Sequence, residues 1–388
     1  MGKHILIITS YYPPEIGAAS NRIFQLANGL NTINHRVSVV TPLPNYPTGK
    51  IFEAYRGRFS ANTLEQGIKV YRLWVFASNS KNKLHRLFSM LSYSLSLIWF
   101  FITHPIPKTV IIQSPPLFVA FTCMLFLKKK SRKLILNVSD LWPLAGKELG
   151  VLKEGFSYSF LKKIEQFNYK RAGLILGQSE EILTHVNALF PKKETFLYRN
   201  YPDFTPPKVA FKSTEKEGKI QVVYAGLLGV AQGIYTLVQA LDYSKIAFHI
   251  YGSGAEQEQI QDYIKKHPNL CISYHGQVPR AELHELLLKY DVVIIPLLNR
   301  IYGSVPSKIF EYARLALPVI YMGGGEGEKI VAQNDLGWVV DAGNYDALNL
   351  LLKKLTPADC FSKRKTIQEF SLMHFDFEKQ LHALSTCL

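Results

Sequence analysis

The hydrophobic positions of this 388-residue chain come in short runs separated by polar, glycine- and proline-bearing stretches. HILIIT (4–9), VSVVT (37–41), TVIIQ (109–113), KLILNV (133–138) and GLILGQ (173–178) are compact and rich in β-branched residues, and read as strands. Between the first two, SNRIFQLANGLN (20–31) repeats its apolar positions at helical spacing. A second series begins at IQVVYAG (220–226). It continues through IAFHIYG (246–252), CISYHG (271–276), DVVIIPL (291–297), LPVIYM (317–322) and GWVVD (337–341). Strands alternating with helices over this spacing predict βαβ units and parallel sheets covered on both faces. YRNYPDFTPPKVAFKSTEKEGK (198–219), rich in proline and charge, reads as the linker. The expected fold class is α/β: two doubly wound, Rossmann-like domains, residues 1–203 and 204–361, facing across a cleft.

The longest apolar run breaks this rhythm. LFSMLSYSLSLIWFFI (87–102) lies uncharged between Arg86 and His104, at the short limit for crossing a bilayer. Ser89, Ser92 and Ser96 give it one small polar face, so a core or interface-seated helix is expected rather than a span, with shallow membrane contact as the alternative. PPLFVAFTCMLFLKKKSRK (115–133) is apolar and then basic, with five cations from Lys128 to Lys133. That pattern suits an anionic membrane surface, and equally a buried helix followed by a solvated turn.

Charge separates the two halves. Residues 1–200 hold 26 Lys and Arg against 10 Asp and Glu, whereas residues 201–388 hold 19 against 20. A polyanion would therefore meet the first half, whether nucleic acid, membrane face or phosphorylated lipid. The four cysteines (123, 271, 360, 387) are widely separated, with no C-x-x-C pair and no histidine cluster at metal spacing. This fits reduced thiols in a cytoplasm, and no secretory signal is visible at the start of the sequence.

Candidate chemistry gathers at the ends of the second series. Glycines stand in AGLLGVAQG (225–233), YGSG (251–254), PLLNRIYGS (296–304) and MGGGEGE (322–328), each after a strand. In open parallel sheets that is where ligands bind, and together the four loops make a rim suited to phosphates. None is a G-x-G-x-x-G or a G-x-x-x-x-G-K-[ST], which argues against dinucleotide binding and ATP hydrolysis. GSVPSKIFEYARLALPVIY (303–321) reads as a glycine turn, a helix of about three turns capped by Ser304, and a buried strand. Glu311 stands one turn into it, beside Lys308, as a donor-site carboxylate or as an ordinary helix residue paired with Arg314 or Lys308.

YYPPEIGAASNR (11–22), PNYPTGKI (44–51), SPPLFVA (114–120), SDLWP (139–143), YAGLLGVAQG (224–233) and VPSKIFEYARLALPVI (305–320) occur in that order. With these segments the chain resembles the retaining glycosyltransferases of family four, which have the GT-B fold, and within them the WbuB-like fucosamine transferase type of bacterial polysaccharide synthesis. The resemblance spans nearly the whole chain and implies a C-terminal segment, 362–388, packing back on the first domain. It implies a nucleotide diphosphate sugar, most simply a UDP-sugar, as donor. Glu311 would accept the ribose hydroxyls, since a carboxylate offers two oxygens to a vicinal diol. The donor would be met by Gly17, Gly226, Gly229, Gln232, Gly252, Gly254, Gly303, Ser304, Ser307, Lys308, Gly324 and Gly325. Arg300 and Lys308 would compensate the leaving diphosphate, and the amides near Val305–Ser307 would face it. Asn21, Arg22 and Asp140 would orient the acceptor, with a core or capping role for Asp140 as the alternative.

Three positions depart from the family pattern. Gly303 stands where a first glutamate is common, Leu227 and Gln232 where an Arg and a Lys contact the diphosphate, and Ser139 where a histidine often precedes the Asp. The implied mechanism is front-face departure and attack, in which the leaving phosphate takes the acceptor proton and the protein positions and neutralises charge. No metal or other cofactor is expected, and there is no D-x-D at a strand end. The expected acceptor is a lipid-diphosphate-linked saccharide at the cytoplasmic face of the inner membrane, as in lipopolysaccharide or capsule synthesis. Nucleic acid is not an expected partner. The alternatives are a nucleotide-sugar epimerase of the same fold and a non-catalytic nucleotide-sugar-binding scaffold.

Overall fold

A computed structural model describes residues 2–80, 82–206, 218–230 and 232–388. The chain divides into two compact units: residues 1–200 with 301–303 and 378–388, and residues 201–300 with 304–377. Half of the expected linker, 207–217, lies outside the described residues.

Unit 1 is built on β1 (His4–Ile8), β2 (Arg36–Pro42), β3 (Ser60–Glu65), β4 (Ile68–Leu73), β5 (Thr109–Ser114), β6 (Lys133–Val138), β7 (Leu174–Gly177) and β8 (Thr195–Leu197). They form one sheet in the order β3-β4-β2-β1-β5-β6-β7-β8, parallel except for the β3–β4 pair. Unit 2 carries β9 (Ile220–Ala225), β10 (Ile246–Tyr251), β11 (Ile272–Tyr274), β12 (Val292–Pro296), β13 (Val319–Met322) and β14 (Gly337–Val340). Their order is β11-β10-β9-β12-β13-β14, all parallel. Both units are thus doubly wound α/β, and the strand order reverses at β1/β5 in the first and at β9/β12 in the second. Crevices open at such reversal points, beyond the carboxyl ends of the strands.

The central strands are uniformly apolar because both faces are covered: Ile5, Ile7 and Ile8 of β1 and Val222 and Val223 of β9 are fully buried. The β3–β4 hairpin is different. Gln66 and Gly67 form its two-residue turn with φ of 49° and 82°, the positive pair that matches strand twist. Arg72 of β4 is buried, paired with Glu65 at 2.7 Å and bonded to Thr63. SANTLE is too polar to read as a strand alone; its partner supplies the reason it is one.

Helix Lys83–Thr103 holds the ambiguous apolar run. Tyr93, Leu97 and Phe100 are buried in the unit 1 core, and the Tyr93 hydroxyl lies 2.9 Å from the Thr9 carbonyl. Ser92 accepts the Phe76 N–H (2.9 Å) and Ser96 donates to the Trp74 carbonyl (2.8 Å), so the small polar face ties the helix to the exit of β4. Among the described residues no helix is long and apolar enough to cross a membrane. The basic run at 128–133 is largely spent on the protein itself. Arg132 donates to the carbonyls of Ile106, Pro107 and Leu127, Lys128 to that of Arg171, and Lys133 to that of Cys387.

At the C-terminus, return to unit 1 begins at Glu378, not at residue 362. The Pro357–His374 helix stays in unit 2 because Ile367, Phe370 and Phe375 pack in one apolar cluster with Ile309 and Phe310. Arg364 reinforces this by donating to the carbonyls of Leu288 and Tyr290. In unit 1, Gln380 bonds the backbone of Arg199 through both N–H (2.8 Å) and carbonyl (3.0 Å).

Candidate functional site

In unit 2 the loops after β9 and β10 are packed backbone to backbone. Gly226 N–H donates to the Tyr251 carbonyl and Leu228 N–H to that of Ser253, each at 2.9 Å. A Cβ on Gly252 would lie 1.8 Å from the Gly226 oxygen, and one on Gly254 2.4 Å from that of Leu228. These two glycines are therefore demanded by loop approach, whatever the ligand. Two tyrosine hydroxyls fix the loop further: Tyr224 donates to Leu227 (2.6 Å) and Tyr312 to Ala225 (3.0 Å).

Lys308 reaches this loop from the next element. Its ammonium lies 4.7 Å from the centre of the Tyr224 ring and fills the space that a Cβ on Gly226 would take. Burial pushes the Lys308 ammonium down to about 8, with the charge of Glu311 opposing the shift. Gly226, Lys308 and the β9 end thus form one unit, at the carboxyl side of the β9/β12 reversal.

Helix Lys308–Arg314 is shorter than expected and starts later. Ser304 does not cap it; Ser307 occupies the N-cap position without a side-chain cap bond. Pro306 explains the difference, because the residue before a proline is pushed out of the helical region. The N–H groups of Ile309, Phe310 and Glu311 already bond Pro306 and Ser307 carbonyls. Among the described residues, the N–H groups of Val305, Ser307 and Lys308 have no backbone acceptor, so they are the amides left to face an anion.

Glu311 is paired with neither Arg314 nor Lys308. Its Oε1 accepts from His284 Nε2 at 2.8 Å and Arg280 Nε at 3.1 Å, both on helix Arg280–Leu287. Burial would raise the Glu311 carboxyl, but the His284 bond and the Arg280 charge together hold it below its ordinary value. Among the described residues no protein donor reaches Oε2, which leaves that oxygen for a ligand hydroxyl. Arg280 and His284 were not expected from the sequence. Their one signal is the i,i+4 spacing that puts both on one helix face.

Around this pair the remaining donor candidates divide. Gln232 donates its backbone N–H to Gly229, while its buried Oε1 has no partner among the described residues. The Arg300 stem passes within 3.6 Å of where a Gly324 Cβ would be, so these two are brought together. Gly325 caps helix Glu326–Gln333, whose first turn carries Glu326 and Glu328. That helix end already has carboxylates on it, which weakens the case for a phosphate there. Gly303 belongs to unit 1. With φ of 84° it donates its N–H to Glu181 and accepts from the Ser179 hydroxyl, each at 2.7 Å.

In unit 1, Arg22 is buried and bonds Asn137 Oδ1 (3.0 Å), Gln178 Oε1 (3.2 Å) and the Tyr198 carbonyl (3.2 Å). Its guanidinium is a tie between strand ends. Asp140 is pushed up to about 6 by burial, against the Arg22 charge and a 3.3 Å bond from Ser139. Asn21 is exposed one residue away on helix Ala18–Thr32, and Gly17 stands at its N-cap position. At the β1/β5 reversal lies a cavity of about 440 Å³, lined among others by Tyr11, Asn45, Tyr46, Tyr93 and Trp142. Glu15 holds its 44–49 wall, accepting the N–H groups of Asn45 (2.7 Å) and Tyr46 (2.9 Å). Its lining comes from seven separate segments, four of which (11–22, 44–51, 114–120 and 139–143) are among those that carry the family resemblance. Among the described residues no group of three or more His, Cys, Asp or Glu is placed to hold a metal ion.

Two doubly wound parallel α/β units in one chain match the GT-B architecture. Two family models match in succession: "Glycosyl transferase 4-like domain" over residues 17–198 and "Glycosyl transferases group 1" over 207–369. The chain belongs to the GT-B glycosyltransferases. No curated protein matches it. Solved structures share the fold over nearly its full length. Sucrose-phosphate synthase from Thermosynechococcus elongatus is 14% identical, covering 99% of this chain and 98% of that one, at a TM-score of 0.76. HepE from Anabaena, in complex with UDP-glucose, is 14% identical with 100% of each chain covered and a TM-score of 0.65. WaaG, a glycosyltransferase involved in lipopolysaccharide biosynthesis, is 13% identical with 98% of each covered and a TM-score of 0.64.

Proposed function

We propose that this glycosyltransferase moves a sugar from a UDP-sugar, with retention and without a metal, onto a lipid-diphosphate-linked saccharide in surface polysaccharide synthesis. The family-four resemblance, in its WbuB-like form, supports that assignment. The observation that carries the donor half is the juxtaposition of Lys308 against Gly226 with Glu311 one turn on. A cation, a close backbone approach and a carboxylate with one open oxygen suit a diphosphate joined to a ribose. HepE binds UDP-glucose on the same fold, which favours uridine as the base.

In this reading Glu311 Oε2 takes a ribose hydroxyl while Arg280 and His284 hold Oε1. Lys308 and Arg300 neutralise the diphosphate as it leaves, and the amides of Ser307 and Lys308 assist. The sugar–phosphate bond breaks, the acceptor oxygen bonds to the same face of the anomeric carbon, and the leaving phosphate takes the acceptor proton. Asp140 orients the acceptor hydroxyl; Arg22 acts through it, because both of its terminal guanidinium nitrogens are engaged internally. Gly303, in place of a glutamate, supplies no side chain to the donor sugar.

Calorimetric titration of UDP in EDTA, into the wild type and Glu311→Ala, tests this. The expected result is binding by the wild type that weakens at least tenfold in the variant. Equal binding in both would remove Glu311 from the donor site, and no binding by the wild type would remove the uridine donor.

A further inference from the structure

Helix Lys83–Thr103 has two faces with unlike neighbours. Inward, Ser89, Met90 and Tyr93 line the unit 1 cavity. Outward, Leu84, Phe88, Leu91, Leu95, Trp99 and Ile102 are all exposed, from 41% to 73% of each residue. At 3.6 residues per turn these six fall within about 80° of arc, and at 1.5 Å per residue they run for about 27 Å. Phe59, 79% exposed, and Trp74, 40% exposed, line a groove together with Leu95 and Trp99 and widen the patch. An apolar surface this continuous marks an interaction site.

We propose that this helix seats the protein on an anionic lipid bilayer, with its outer stripe among the acyl chains and its axis along the surface. A lipid-anchored acceptor then reaches the cavity from the bilayer side of the same helix. That last step rests on the lipid-linked acceptor proposed above; the bilayer contact stands on the stripe itself. Three observations favour lipid as the occupant. The first 200 residues carry 26 cations against 10 anions, so an anionic surface attracts this unit while a second copy of it repels. Exposed Arg56 and Arg58 immediately precede Phe59, placing cations at headgroup level beside an apolar side chain. Trp74 and Trp99, both partly exposed, are the residue type that settles at a membrane interface. The buried inner face keeps the helix lying on the surface. The 128–133 run adds charge to the same unit but no apolar stripe: Lys128, Lys129 and Lys130 are exposed, while Arg132 and Lys133 bond protein carbonyls.

Vesicle flotation tests the assignment, using phosphatidylcholine vesicles with and without phosphatidylglycerol, on the wild type and on L95E combined with W99E. The wild type should float with the anionic vesicles. The double variant should partition at least tenfold less, while its UDP affinity and thermal midpoint match the wild type. Equal flotation of both proteins would overturn the proposal. So would a wild type that stays unbound at low salt, or one that forms dimers which the double variant dissolves without losing flotation. Should the double variant misfold, quenching of wild-type tryptophan emission by brominated lipids decides, and no quenching overturns the seat. A wild type that floats yet ignores UDP would count against the donor, not against the seat.

Discussion

The two units share a topology and use polar side chains at their strand ends in opposite ways. In unit 1 they bond each other: Arg22 to Asn137 and Gln178, and Asn137 in turn to Gln113 at 2.8 Å. What is left at the reversal point is a cavity walled by aromatic rings, prolines and small polar residues, beside a helix whose outer face is bare and apolar. In unit 2 glycines let the backbones crowd together, and two charged side chains, Lys308 and Glu311, are left at the reversal point. A doubly wound sheet thus dictates where a ligand is met, and the strand-end residues decide whether it meets a cation or an aromatic wall.

The sharpest way to break this contrast is to remove the cation. Lys308→Met should lower kcat/KM by about 10²–10³, the cost of losing a group that stabilises leaving-group charge. The same change should stabilise the fold at neutral pH. Lys308, ordinarily near 10.5, is lowered to about 8, so the stability linked to its neutral form is present above 10.5 and lost as pH falls through about 8. Thermal midpoints should favour the variant at pH 7, and the gap should narrow as pH rises from 8 towards 10.5; a constant gap would mean that Lys308 is not desolvated. Gly226→Ala should mimic the kinetic loss, since the new methyl displaces the ammonium.

Removing the tie in unit 1 should do the reverse. Arg22→Met leaves buried acceptors on Asn137, Gln178 and Tyr198, which costs about 2–4 kcal/mol in chemical denaturation. UDP affinity should not move, because Arg22 belongs to unit 1. A large loss of UDP binding at constant stability would blur the contrast.

Asp140→Asn probes the same unit more gently. Asp140 is raised from near 3.8 to about 6, so the stability linked to its protonated form is full below 3.8 and lost as pH rises through about 6. Relative to the wild type, the variant should gain on the order of 1–2 kcal/mol between pH 4 and pH 7.5, read from paired melting curves. The smallest effect is expected far from either reversal point. Gln66→Asn suits the positive φ of that turn better and should add about 0.5 kcal/mol, with activity unchanged.

Much of this was legible in the chain. Central parallel strands are buried on both faces, so each announces itself as an apolar run, and eleven such runs correspond to strands of the two sheets. The hairpin strand Ser60–Glu65 gave no such signal, because it is an edge strand whose polar alternation makes sense only beside Ile68–Leu73. Glu311 and Lys308 stood out as charges in an apolar helix. Their partners did not: Arg280 and His284 come from another helix, and the Gly226 contact with Lys308 joins residues 82 positions apart.

What the sequence determined by itself is whatever local physics repeats: the strand periodicity, the glycines after strands, and the charge imbalance between halves. What only the tertiary structure decided is which like residues have unlike jobs. Arg22 and Arg72 became buried ties, and Arg132 was spent on backbone carbonyls, while Lys308 was pressed into a glycine's empty space. Six apolar residues of one helix face were left uncovered. A side chain's energy depends on the partners that share its burial, and those partners arrive from distant points of the chain only when the sheets close.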